Sequence, residues 1–162
     1  MTETKSNFQF DSSGLEDTDR LGQTIGAAVQ PGTVIGLDGT LGAGKTRLTQ
    51  AIGLGLHIRP GNIVSPTFTI MVPHAGRLPL IHLDAYRLKS PEEVDELGLD
   101  ELVVDGAVLV VEWSSRIVNL LPSVDLSVQI EHIDDKQRRF LLSASSEPGR
   151  VLLEAVKQHF PS

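Results

Sequence analysis

The apolar positions of this chain change period several times, and each change marks an element. Residues 1–12 are mostly polar and read as loosely ordered, with Phe8-Gln9-Phe10 alone offering a short edge strand. From Leu15 to Val29, apolar or small residues at Leu15, Leu21, Ile25, Ala28 and Val29 keep helical spacing until Pro31-Gly32 ends the run. Thr33-Val34-Ile35-Gly36-Leu37 then reads as a buried strand. Lys45 to Leu56 reads as a helix with Leu48, Ala51, Ile52 and Gly55 or Leu56 on one face. Arg59-Pro60-Gly61-Asn62 is turn-rich, and Val64 to Ile70 follows as a loop leading into an alternating strand. Leu78-Pro79-Leu80-Ile81-His82-Leu83 and Ala107-Val108-Leu109-Val110-Val111 are largely apolar runs of strand length, the signature of parallel strands covered on both faces. The first ends at Asp84 and the second at Glu112. Between them Ser90-Pro91-Glu92-Glu93 starts a helix, with Ser90 as cap, Pro91 in the first turn and Glu93 closing a capping box. Val124 to Ile130 and Arg138 to Leu142 pair as a hairpin across His132-Ile133-Asp134-Asp135, and a last helix from Arg150 to Phe160 follows Pro148-Gly149.

Composition narrows what such a chain does. Its 162 residues suit one domain with one sizeable core. With 14 Lys+Arg against 21 Asp+Glu, a net charge of -7 argues against unaided binding to a nucleic acid backbone, which works by releasing counterions with basic side chains. The absence of cysteine excludes disulfides, thiol catalysis and cysteine-bound metals. Met1 to Ser6 lacks the apolar core of a signal peptide and no apolar run reaches membrane-spanning length, so the expectation is a cytoplasmic protein with no membrane partner.

The chemistry begins at Gly39-Thr40-Leu41-Gly42-Ala43-Gly44-Lys45-Thr46, which fits the phosphate-loop pattern G-x-x-x-x-G-K-[ST] without a mismatch. Glycines let successive backbone N–H groups curl around phosphate oxygens, Lys45 neutralises the β- and γ-phosphates, and the Thr46 hydroxyl can ligate Mg²⁺. The strand, loop and helix arrive in the order the motif requires, and the helix adds its positive end to the phosphate site. Thr40 to Arg47 are therefore the expected nucleotide-binding residues. The fold expected is α/β and P-loop NTPase-like, a mostly parallel sheet flanked by helices with an antiparallel late hairpin.

In such sheets ligands sit at the carboxyl ends of the strands, where Asp84 and Glu112 lie. We assign metal coordination to Asp84 and activation of an attacking water to Glu112, with the two roles open to exchange. The acids Glu92, Glu93, Asp95 and Glu96 read as helix-start charges. His82 alternates with Asp84, but two residues on one strand do not make a zinc site, and we read it as a core or loop-anchoring histidine. Arg87 reads as an ion-pair partner and Trp113 as a packing anchor.

Taken together, Gly39 to Thr46, Ser65-Pro66-Thr67-Phe68-Thr69, His82-Leu83-Asp84-Ala85-Tyr86-Arg87, Glu96-Leu97-Gly98 and Val111-Glu112-Trp113 resemble, in order and spacing, the bacterial TsaE (YjeE) ATPase family. The resemblance runs from about Asp17 to Leu126. It implies ATP hydrolysis with Mg²⁺ in support of threonylcarbamoyl modification of a tRNA adenosine, alongside a TsaB–TsaD pair of which TsaD performs the transfer, with tRNA met only indirectly through the complex. It implies phosphates on Lys45, Mg²⁺ on Thr46, catalysis or metal coordination by Asp84 and Glu112, and a nucleotide-sensing switch loop with Ser65, Thr67 and Thr69. Two positions depart from the family: Thr40 stands where aspartate is usual, and Ser114 where proline or alanine is. A small-molecule kinase and a nucleotide-dependent binding module with negligible hydrolysis stay open as alternatives. Acceptor-linked phosphate transfer marks the first, and slow turnover that no partner stimulates marks the second.

Overall fold

Where a strand is covered on both faces it belongs in the middle of a sheet, and the run before the phosphate loop is buried along nearly its whole length. The computed structural model describes residues 6–40, 42–63 and 70–160. Its strands are β1 (Ser6–Ser12), β2 (Val34–Gly39), β3 (Met71–His74), β4 (Leu80–Asp84), β5 (Val108–Glu112), β6 (Leu126–His132) and β7 (Arg138–Ala144). Its helices are α1 (Leu15–Ala28), α2 (Lys45–Gly55), α3 (Pro91–Glu96), α4 (Leu99–Val104) and α5 (Glu147–His159). One sheet of seven strands takes the order β1-β7-β6-β2-β5-β4-β3. Neighbours β4, β5, β2 and β6 run parallel. Strands β3 and β7 run against them, and β1, antiparallel to β7, returns to the common direction.

The period-2 rule sorts the core into two layers. Ile35, Leu37, Val108 and Val110 meet Leu21, Ile25, Leu48, Ile52, Leu152 and Val156 from α1, α2 and α5. The alternate residues Val34, Leu109 and Val111 meet Val94 and Leu99 from α3 and α4 on the other face. Along β6 the pattern is buried-exposed alternation, with Leu126, Val128 and Ile130 inward, so the antiparallel half is covered on one side only. Helices α1 and α2 approach closely because each carries glycine at the crossing. A Cβ on Gly26 would lie 2.1 Å from the Ile52 carbonyl oxygen and 2.9 Å from Gly55 Cα.

Three expectations need correction. Residues 6–12 are not loose: they form β1, a seven-residue edge strand in register with β7 over its whole length. Phe8 and Phe10 alternate inward there, and Phe10 meets Phe140 and Phe160 with ring centroids 6.0 and 4.4 Å apart. Helix α4 follows α3 after Gly98, whose φ of 66° turns the chain between two six-residue helices that periodicity is too short to separate. The alternating strand expected after Ile70 is β3, which begins at Met71 as read, but its antiparallel pairing with β4, and that of β1 with β7, make the antiparallel part of the sheet larger than a late hairpin. At α3 the Ser90 hydroxyl accepts from Glu93 N at 3.3 Å as expected, while the Glu93 carboxylate reaches Lys89 N rather than Ser90 N.

Candidate nucleotide site

The phosphate loop joins β2 to α2 in the middle of the sheet, at the carboxyl ends of the parallel strands. Gly42 and Gly44 take φ of 81° and 110°, the left-handed turns that curl the backbone there. Gly44 is also the N-cap of α2 and supplies no side chain, so no side chain caps the first N–H groups of the helix, which are left able to bind an anion.

Lys45 is 5% exposed. Its Nζ donates to the carbonyls of Gly39 at 2.8 Å and Thr40 at 3.1 Å and lies 3.9 Å from the Trp113 ring centroid. Burial holds its pKa below the ordinary lysine value, opposed by the nearby carboxylates of Glu112, Asp38 and Asp84. The Thr46 hydroxyl donates toward the Glu112 carboxylate, 3.2 Å from both oxygens. Glu112 is 5% exposed and its Oε2 also meets Nε2 of the fully buried His82. Asp84 stands in register with Glu112 on the adjacent strand, and its Oδ1 accepts from Tyr86 N at 3.0 Å. The two carboxylates predicted from separate apolar runs are thus neighbours at one level of the sheet.

Other predicted residues fall differently. Thr40, Gly42, Ala43 and Gly44 form the loop around Lys45, while Leu41, Ser65, Thr67 and Thr69 lie outside the described residues. The Arg47 guanidinium makes a bidentate pair with Asp19 of α1 at 2.8 and 2.7 Å, clasping α2 to α1, which leaves its backbone N–H as the group it can offer the loop. His82 is a core histidine, as read, but its partner is the site acid Glu112. Trp113 packs as expected, with its ring 5.1 Å from that of Tyr86.

Sequence reasoning missed Arg138, whose Nε donates to the Ala43 carbonyl at 3.1 Å while Nη1 holds the carbonyls of Asp134 and Gln137. Nothing local in the sequence marks it, since the contact joins residues 95 apart in the chain.

The donors suit a hard cation. Among the described residues no three His, Asp or Glu side chains converge into a metal cage. A hydroxyl and one or two carboxylates are the set that takes Mg²⁺ when phosphates and water complete its octahedron. Among the described residues no helix is long and apolar enough to cross a membrane.

Comparison with known proteins bears on the family and the fold. The family model described as "Threonylcarbamoyl adenosine biosynthesis protein TsaE" matches residues 12–140. The chain is 38% identical over 146 residues to the tRNA threonylcarbamoyladenosine biosynthesis protein TsaE of Bacillus subtilis, covering 89% of this chain and 90% of that one. It is 36% identical over 132 residues to the protein of that name from Treponema pallidum, covering 82% and 97%. The crystal structure of Bacillus subtilis YdiB superimposes with a TM-score of 0.79 at 30% identity, over 98% of this chain and 99% of that one. A family match over most of the length, with the loop, both strand-end acids and the seven-stranded sheet in place, means that this chain belongs to the TsaE family.

Proposed function

We propose that this chain is a Mg²⁺-dependent ATPase that acts as an accessory subunit in the threonylcarbamoyl modification of a tRNA adenosine, working in the cytoplasm with a TsaB–TsaD pair. The observation that carries the ATPase part is the Thr46 hydroxyl lying against both Glu112 oxygens beside the phosphate loop, with Asp84 in register next to it. The tRNA part rests on family membership and on the names of relatives such as those from Bacillus subtilis and Treponema pallidum.

In this reading the backbone N–H groups of the loop and the first turn of α2 cradle the phosphates, and Lys45 exchanges two loop carbonyls for phosphate oxygens. Thr46, Glu112 and Asp84 would hold Mg²⁺, which when bound neutralises charge building on the β- and γ-phosphates. The Thr46–Glu112 contact favours Glu112 on the metal side, with Asp84 meeting the attacking water, the exchange of roles that the sequence left open. His82 fixes Glu112 from behind, and Trp113 covers one side of Lys45.

The test is Mg²⁺-dependent ATP hydrolysis by the purified chain, alone and with the TsaB–TsaD pair. Hydrolysis that the pair stimulates and that Lys45→Ala abolishes is the expected result. Mg²⁺ titration of Glu112→Gln and Asp84→Asn separates the two acids: the variant that needs more Mg²⁺ holds the metal, and the one with low turnover at saturating Mg²⁺ handles the water.

One observation favours a second reading, a small-molecule kinase. A groove of ≈ 1170 Å³ beside the site, lined by Tyr86, Arg87, Lys89, Glu93 and Arg116, has room for a phosphate acceptor. Acceptor-dependent phosphate transfer without the pair would establish that reading instead.

A further inference from the structure

Ser114 is 4% exposed and carries a buried hydroxyl that the nucleotide site does not use. Its Oγ donates to Asp38 Oδ2 at 2.6 Å. The other oxygen of the same carboxylate accepts from Ser115 N at 3.0 Å and Ser115 Oγ at 2.8 Å. Asp38 thus spends both oxygens on the two residues after Trp113. The space for this is made two residues earlier on the same strand, because a Cβ on Gly36 would lie 2.5 Å from Ser114 Oγ.

The turn so held is an uncommon one. Trp113 has φ 61°, a left-handed conformation that a bulky L residue keeps only where its surroundings impose it. Its N–H is bonded to the Leu37 carbonyl at 2.8 Å, its ring lies under Lys45 Nζ, and Glu112 immediately precedes it. Asp38 is two residues past Gly36 on β2 and adjoins Gly39, the first residue of the phosphate loop.

We propose that Asp38 is a positioning residue of the nucleotide site, which ties the end of β2 to the turn after β5 and so aims Glu112 and Trp113 at the phosphate loop. The clamp acts through geometry. Charge-assisted bonds to one carboxylate fix a short turn strongly, and misplacing a catalytic group by about 1 Å costs up to about a hundredfold in rate.

The kinetic half of the test rests on the ATPase reading above, whereas the optical half does not. Trp113 is the chain's only tryptophan, so its emission reports this turn alone. Asp38→Ala and the double variant Ser114→Ala/Ser115→Ala cut the clamp from opposite sides, and thermal melting shows which of them fold. In folded variants we expect a changed Trp113 emission, turnover lowered about tenfold or more at saturating ATP, and ATP affinity within about twofold of the parent. Asp38→Glu, which keeps the acceptor pair, should recover part of the emission and of the turnover.

Unchanged emission and turnover in either folded variant overturns the proposal, as does a loss confined to ATP affinity. Should Asp38→Ala not fold, the serine pair decides on the same criteria. If the parent chain hydrolyses no ATP under any condition, the ATPase reading fails, and emission decides the clamp: a changed spectrum supports it and an unchanged one overturns it.

Discussion

At Glu112 two neighbours of different kinds meet one carboxylate, the Thr46 hydroxyl in front and the His82 imidazole behind. A buried acid between such partners keeps one orientation, because turning away from either leaves a polar group unpaired. Replacing His82 with alanine should therefore act on the site without touching a phosphate. The Mg²⁺ concentration needed for half-maximal hydrolysis should rise about 10- to 100-fold while turnover at saturating Mg²⁺ changes less, which a Mg²⁺ titration of the variant measures. The sequence announced Glu112 and Asp84 because each ends an apolar run, and position along a strand is a local property. It could not announce the His82–Glu112 pair, which spans 30 residues, or the Arg138 contact to Ala43, because register between strands and reach between loops are set by the whole sheet. Arg47 is a further case: its place beside the motif is local, but the pairing of its charge with Asp19, 28 residues away, is set by how α1 meets α2.

Elements were legible wherever a single period ran long enough. Helices α1, α2 and α5 and strands β2, β4 and β5 announce themselves by spacing. Strand β1 does so only in part, since its inward side carries just two apolar residues, Phe8 and Phe10; Phe10 packs on the core only when Phe140 and Phe160 arrive from the far end of the chain. The seam between α1 and α2 has a similar origin. Gly22, Gly26 and Gly55 look like helix weaknesses in the sequence, and the fold uses them as the surface where two backbones touch. Gly26→Ala, a favourable change in an isolated helix, should here lower stability by about 1–3 kcal/mol, because the new methyl meets backbone that cannot step aside. Urea unfolding of the variant against the parent checks the sign: a stabilised protein would mean that the helices part without cost.

Across the whole molecule the sheet has two unlike halves joined at β2. On one side β5 and β4 are buried on both faces and carry the acids; on the other, β6, β7 and β1 are covered on one face and carry no predicted site residue. Nucleotide binding to the folded state alone should raise its stability by about 2.7 kcal/mol at a hundred times the dissociation constant. A thermal-shift titration reads that gain, and it should vanish in Lys45→Ala. That gain should reach both halves, because the loop is fastened to both: Thr46 to Glu112 on the parallel side, and the Ala43 carbonyl to Arg138 on the antiparallel side. Coupling of this kind is reciprocal by thermodynamic necessity. In the reading proposed above, loosening the hairpin at residues 132–137 should weaken nucleotide binding, and an occupied loop should steady that hairpin in turn.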